Sequence, residues 1–242
     1  MKWARRSGGK VPASAGPFVI GGVSKEKERG NGPAAVLAGS APALLGAGGR
    51  VLQRFPGTGS RVMELATGAD PVILGITHHG SGHFVVDALG GGMRSGSQLV
   101  YTEGPFACRS LVNADDRPVR ALRIQADGPW TVEVSGVDDA VVLHGRAERP
   151  ASDVLRYEGG PAVSQLRYTG TPRASDGGYF LVDTFEPDGS GFLDELANHV
   201  GPWTGEVPLP GPCLISARSD GPWSISVRAV GGGGLRAGDT SV

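Results

Sequence analysis

The sequence is poor in cysteine, in aromatics and in net charge. Two cysteines in 242 residues, Cys108 and Cys213, rule out a disulfide-dense scaffold. They do not occupy matching positions in the repeat described below, since Cys213 aligns with Arg120. A bridge repeated in each unit is therefore excluded, and two free, half-buried thiols are expected. The formal net charge is -1, and no basic cluster is interleaved with aromatics, so nucleic acid is not expected as a partner. No run reaches the ~18 apolar residues of a spanning helix, and no transmembrane segment is expected. Residues 34–49 (AAVLAGSAPALLGAGG) begin too deep and contain Pro42, which argues against a signal peptide. Arg5-Arg6 is not followed directly by an apolar stretch. A cytoplasmic location is therefore favoured over an exported one.

Glycine and proline, at 41 and 18 residues, are abundant instead. Short runs of Val, Leu, Ile and aromatics lie between them, the pattern of many strands joined by tight turns. Within these runs the chain repeats itself. Asp127-Gly128-Pro129-Trp130-Thr131-Val132 returns as Asp220-Gly221-Pro222-Trp223-Ser224-Ile225. Phe84-Val85-Val86-Asp87 returns as Phe180-Leu181-Val182-Asp183, and Gly104-Pro105-Phe106 as Gly201-Pro202-Trp203. The three anchors keep their order at offsets of 93, 96 and 97 residues, so a whole unit is duplicated with small insertions.

Four segments follow. Residues 1–50 form a basic, Gly- and Pro-rich leader with a net charge of +5 over 1–31 and one clear apolar patch before Ala34, Phe18-Val19-Ile20. Residues 51–136 and 137–230 are the two repeats, and 231–242 is a Gly-rich tail. The leader and tail are expected to be flexible. Alternation such as Val132 and Val134 against Thr131 and Glu133 buries one face of a strand, as antiparallel sheets do. The fold class is all-β: two tandem antiparallel β-sandwich or jelly-roll domains from an internal duplication. Leu193–His199 is the most helix-like stretch, yet it aligns with the strand expected at Gln98–Tyr101, and both readings stand.

Asp-Gly-Pro-Trp reads as a turn that feeds a strand. Asp starts turns, Gly tolerates positive φ, Pro fixes φ, and the Trp then opens the last strand as a core pin. Trp203 differs, because it lies between Pro202 and Thr204. With neighbouring Asn198 and His199 it is the candidate ligand platform, although its counterpart Phe106 suggests that the slot wants an aromatic.

His78, His79 and His83 are the candidate metal ligands, since neutral imidazoles that meet in space bind zinc. Gly80-Ser81-Gly82 reads as a hairpin turn that would bring His78 or His79 opposite His83; the same residues also read as a solvated turn. The matching positions in the second repeat are Tyr168, Thr169 and Tyr179. Glu186–Glu195 imitates a calcium loop, but its twelfth position falls on Ala197, where a carboxylate is needed. A looser oxygen site at Asp183, Glu186, Asp188 and Asp194 and an acidic hairpin are the remaining readings. No Gly-x-Ser-x-Gly elbow, P-loop or spaced carboxylate pair is present, so no catalytic residue is assigned and no cofactor is expected.

The succession of Phe-Val-Val, Gly-Pro-aromatic, an alternating strand and Asp-Gly-Pro-Trp resembles small β-sandwich modules of uncharacterised actinobacterial proteins. More loosely it is similar to bacterial pre-peptidase C-terminal domains, which are jelly rolls. The resemblance covers about 51–230 and implies an accessory, non-catalytic module. The function expected is a non-enzymatic interaction or scaffolding protein with a protein or glycan partner. Carbohydrate or cell-envelope binding through Trp203 is the first alternative, and a metal-dependent enzyme built on the histidines is the second.

Overall fold

A computed structural model describes residues 50–91, 95–114 and 118–230. The basic leader through residue 49, with Phe18-Val19-Ile20, and the tail from 231 lie outside the described residues. Seventeen strands and one 3-10 turn make up the regular structure described, with no α-helix among them.

The first half contains β1 (Val51–Thr58), β2 (Arg61–Glu64), β3 (Val72–His78), β4 (His83–Leu89), β5 (Ser95–Glu103), β6 (Phe106–Val112), β7 (Ala121–Ala126) and β8 (Pro129–Gly136). They form two antiparallel sheets of order β1-β8-β3-β6 and β2-β7-β4-β5. This is the double Greek-key order of a jelly roll, in which most consecutive strands cross between sheets. Inward residues interdigitate in one core that includes Leu74, Ile76, Phe84, Val86, Leu122, Trp130 and Val132.

The second half contains β9 (Val141–Val142), β10 (Arg146–Arg149), β11 (Asp153–Tyr157), β12 (Ala162–Tyr168), β13 (Tyr179–Phe185), β14 (Phe192–Val200), β15 (Trp203–Leu209), β16 (Cys213–Ser219) and β17 (Trp223–Ala229). Its sheets run β10-β17-β12-β15 and β14-β13-β16-β11, with β9 added in parallel to β11. Strand for strand this is the order of the first half. Its own core includes Leu155, Leu166, Tyr168, Phe180, Ile215 and Trp223. The likeness extends to irregularities. β5 slips register at Leu99 and β14 at Leu196, each a bulge opposite the Val-Asp step of its hairpin partner.

Leu193–His199 is strand, within β14, because its pairing with β13 outweighs local helix preference. Gly80-Ser81-Gly82 does not form a hairpin turn. β3 pairs with β6 and β8, whereas β4 pairs with β5 and β7, so the chain arches here from one sheet to the other.

The outer face of the β1-β8-β3-β6 sheet packs on the outer face of the β11-containing sheet. Ile73, Ala114, Ala140, Val154, Phe185 and Leu214 bury a third apolar cluster there. Arg109 on β6 reaches into this junction. Its Nε donates to Asp153 Oδ1 at 2.6 Å and its Nη2 to the Val154 carbonyl at 3.1 Å, and both side chains are buried. Arg149 holds the other carboxylate oxygen of Asp153. On the linker side, Arg156 Nη2 donates to the Val137 carbonyl at 2.8 Å and to Asp138 Oδ1 at 3.0 Å.

Candidate functional site

The repeated motif residues hold strands in place. Asp127 Oδ2 accepts from the His83 N–H at 3.1 Å, and Asp220 Oδ2 from the Tyr179 N–H at 2.8 Å. Each aspartate thus caps the strand that follows the arch. Trp130 Nε1 donates to the Gly59 carbonyl at 2.9 Å, and Trp223 Nε1 to the Ala151 carbonyl at 2.8 Å. Buried indole N–H groups need such partners. Gly59 lies in the turn between β1 and β2 and Ala151 in the matching turn between β10 and β11, so the last strand is tied to the same arch in both.

His78 is a core residue. It is fully buried, it stacks on Phe84 with centroids 4.5 Å apart, and its Nδ1–H donates to the Gly104 carbonyl at 2.8 Å. Its Nε2 is buried and has no hydrogen-bond partner among the described residues. In the second half Tyr168 takes the same place, stacked on Phe180 at 5.0 Å with its hydroxyl donating to the Gly177 carbonyl at 3.0 Å. Burial, and then the charges of Asp220 and Asp176, push the Tyr168 phenol up to about 12. His79 is exposed, and His83 meets Tyr101 edge-on at 5.4 Å. The arch sends His78 inward and leaves His79 outside. Among the described residues no group of three or more His, Cys, Asp or Glu side chains is placed to hold a metal ion.

The Glu186–Gly191 segment is the tight turn between β13 and β14. Gly189 adopts φ +78 and the Ser190 N–H donates to Asp188 Oδ1 at 2.9 Å. Hydrogen bonds from Ser190 hold the Asp188 carboxyl below its ordinary value.

Trp203 opens β15 and packs, partly exposed, against the second core. Its indole lies across Gly205, where a Cβ would fall 2.2 Å from Cζ2. His199 stacks on it with centroids 4.4 Å apart and planes at 16°. A planar ligand would have to displace that imidazole to stack on the same face. Asn198 is exposed and engaged with both Tyr179 Oη (3.1 Å) and Glu195 Oε2 (3.2 Å). His199 and Trp203 are thus brought together, whereas Asn198, next to His199 on β14, is held by Tyr179 and Glu195 instead.

Sequence reasoning does not reach a cleft of about 580 Å³ between the halves. Its first wall comes from the open side of the first jelly roll, where Leu99 on β5 and Ser110, Leu111 and Val112 on β6 line it. The second wall is the outer face of the β13-β16 region, with Phe185, Ser216, Asp183 and Arg218. Arg218 Nη2 lies 3.4 Å from Asp183 Oδ2. The volume falls in the ~300–1,000 Å³ range of ligand sites, which favour boundaries between folded units. Nothing in the periodicity of either half marks this place, because the cleft exists only once the halves pack.

No protein-family model and no curated protein matches the sequence.

Proposed function

We propose that the chain is a non-enzymatic interaction protein that works through a sheet edge at the boundary between its two β-sandwich modules. One observation carries this reading. Two jelly rolls locked by Arg109–Asp153 and by an apolar junction leave, beside that junction, a cleft lined by two edge strands, β5 and β6. Edge strands take partners by backbone pairing, and a fixed second wall adds selectivity. The repeated Asp and Trp side chains, by contrast, are committed to caps and core. The glycan alternative depends on the Trp203 face that His199 covers.

The test is capture on the immobilised full chain, run separately against soluble and envelope fractions of the source cells. The expected result is one protein retained at a stoichiometric level from the soluble fraction. Retention of envelope glycan instead moves the reading to carbohydrate binding. Retention of nothing from either fraction counts against an interaction role.

A further inference from the structure

We propose that the cleft binds an extended peptide, which adds as a strand to the free edge of β6 with the backbone of Leu111 as its anchor. The inference rests on the interaction reading above and names its site and the class of partner.

β6 pairs within its sheet only with β3. On its other side, the Arg109 N–H donates to the Ser152 carbonyl at 3.0 Å. The backbone of Arg109 therefore points away from β3. Alternate residues of an antiparallel strand present their N–H and C=O to the same side. The β3–β6 register runs without a slip from Val72–Val112 to His78–Phe106. Leu111, two residues beyond Arg109, thus also points its N–H and C=O away from β3, toward the cleft that it lines. Ser152 is already a one-residue beginning of an added strand. The chain then leaves the edge to enter β11, which pairs with β16 and β9. Among the described residues nothing pairs with the next backbone N–H and C=O along β6, those of Leu111, in a partly buried place where an unpaired amide is costly.

The second half shows what closure of this edge looks like. β15 stands where β6 stands, Trp203 where Phe106 stands, and Pro208 where Leu111 stands. Proline has no N–H to offer, and edge strands use it to prevent pairing. Pro208 faces solvent on a guarded edge. Leu111 keeps its donor and faces a cleft. A guard is therefore present in one copy of the edge and absent in the other, and the unguarded copy is the one with a second wall opposite it.

That wall fits a strand. Side chains on the outer face of an added strand would meet Phe185 and Ser216, and those on the other face would turn toward Leu99. Asp183 and Arg218 neutralise each other within the same wall, so an apolar residue beside Phe185 is expected, with no strong charge next to it.

The experiment selects phage-displayed random heptapeptides on the immobilised full chain and measures the best of them, synthesised with a fluorophore, by anisotropy. The expected result is a family of peptides sharing an apolar position. Leu111→Pro, which copies Pro208, weakens binding at least tenfold, as does methylation of the peptide's central amide nitrogen. Ser97→Trp crowds the cleft from its exposed lip without touching the β3–β6 ladder, and it weakens binding as well. It carries the test if Leu111→Pro fails to fold. Selected peptides that bind both variants as tightly as the wild type overturn the site while leaving the interaction reading intact. Selection of no peptide overturns the proposal, and the interaction reading then stands or falls on the capture experiment alone.

Discussion

Arg109 and Asp153, 44 residues apart in the chain, meet at 2.6 Å in the apolar junction between the halves, and both are buried. The carboxylate is fully engaged: Oδ1 also accepts the Val154 N–H at 2.8 Å, and Oδ2 takes Arg149. Breaking a buried pair on one side costs about 3–5 kcal/mol, because the remaining charge loses its partner. Asp153→Ala strands two arginines and is expected to reach that range, whereas Arg109→Met leaves Asp153 its Arg149 and costs less. Since the pair ties one half to the other, Asp153→Ala should also split a single calorimetric unfolding transition into two. A single transition at unchanged midpoint would show that the apolar cluster alone couples the halves.

The two tryptophans give a paired prediction. Trp130 and Trp223 are both buried and donate to carbonyls in matching turns, β1–β2 and β10–β11. Trp→Phe at either position removes that bond. At Trp223 it leaves the buried Ala151 carbonyl without a partner, an expected loss of about 1–3 kcal/mol. At Trp130 the half-buried Gly59 carbonyl turns to water and the loss is smaller. Trp→Ala adds a cavity and is expected to cost about 3–5 kcal/mol. Gly57 faces Trp130 across the β1–β8 ladder, and a Cβ there would fall 2.2 Å from Cζ2. Gly57→Ala should therefore destabilise the first half through overpacking. Position 149, opposite Trp223, is already Arg, so the second half has no equivalent sensitivity. Urea unfolding of the single variants, followed by fluorescence, checks all three.

Much of this fold is legible in local pattern, and the exceptions have physical causes. The Asp-Gly-Pro-Trp turns, the alternating strands and the all-β class follow from residue types and period. β10 escapes notice because Arg146–Arg149 buries only Ala147 and shows no apolar alternation. β14 reads ambiguously because LDELANH suits a helix, and only its ladder with β13 decides. The Gly80–Gly82 arch imitates a hairpin because Gly-Ser-Gly serves either turn, while the choice depends on which strands lie opposite. The cleft and the Arg109–Asp153 pair depend on packing between halves and have no local signal. Pro208 is different: it is visible in the sequence, but its meaning appears only when β15 and β6 are set side by side.

The thiols should be inert at neutral pH. Burial, and then the charge of Asp153, pushes the Cys108 thiol up to about 12, and burial pushes Cys213 up to about 11. Both are free and buried, more deeply than the half-burial expected from sequence. Because thiolate is the reactive form, an aromatic disulfide reagent should label neither in the native protein at pH 7 and both in denaturant. The linkage has a definite sign. A pKa raised in the folded state contributes stability that is present in full below the unfolded value, 9.0 for these thiols and 10.0 for Tyr168. That stability is lost as the pH rises toward the folded values near 11 to 12. Denaturant midpoints measured from pH 8 upward should fall from about pH 9. Cys108→Ala should make that fall shallower. An unchanged slope would place the alkaline loss elsewhere.

Trp203 separates packing from recognition. Its counterpart Phe106 fills the same place at the head of β6, and its own ring lies over Gly205 beneath His199. If the slot serves packing, Trp203→Phe should cost under about 1.5 kcal/mol, as shape-tolerant apolar exchanges do. His199→Ala should then uncover the indole and red-shift its emission without creating any affinity. If the surface is a sugar platform, Trp203→Phe should instead abolish glycan-induced fluorescence change while leaving the unfolding midpoint in place, and His199→Ala should strengthen it by opening the stacking face. The two substitutions move stability and glycan response in different directions under the two readings, so a titration with soluble envelope glycans beside a urea melt decides between them. The covered ring face and the aromatic counterpart both favour the packing outcome.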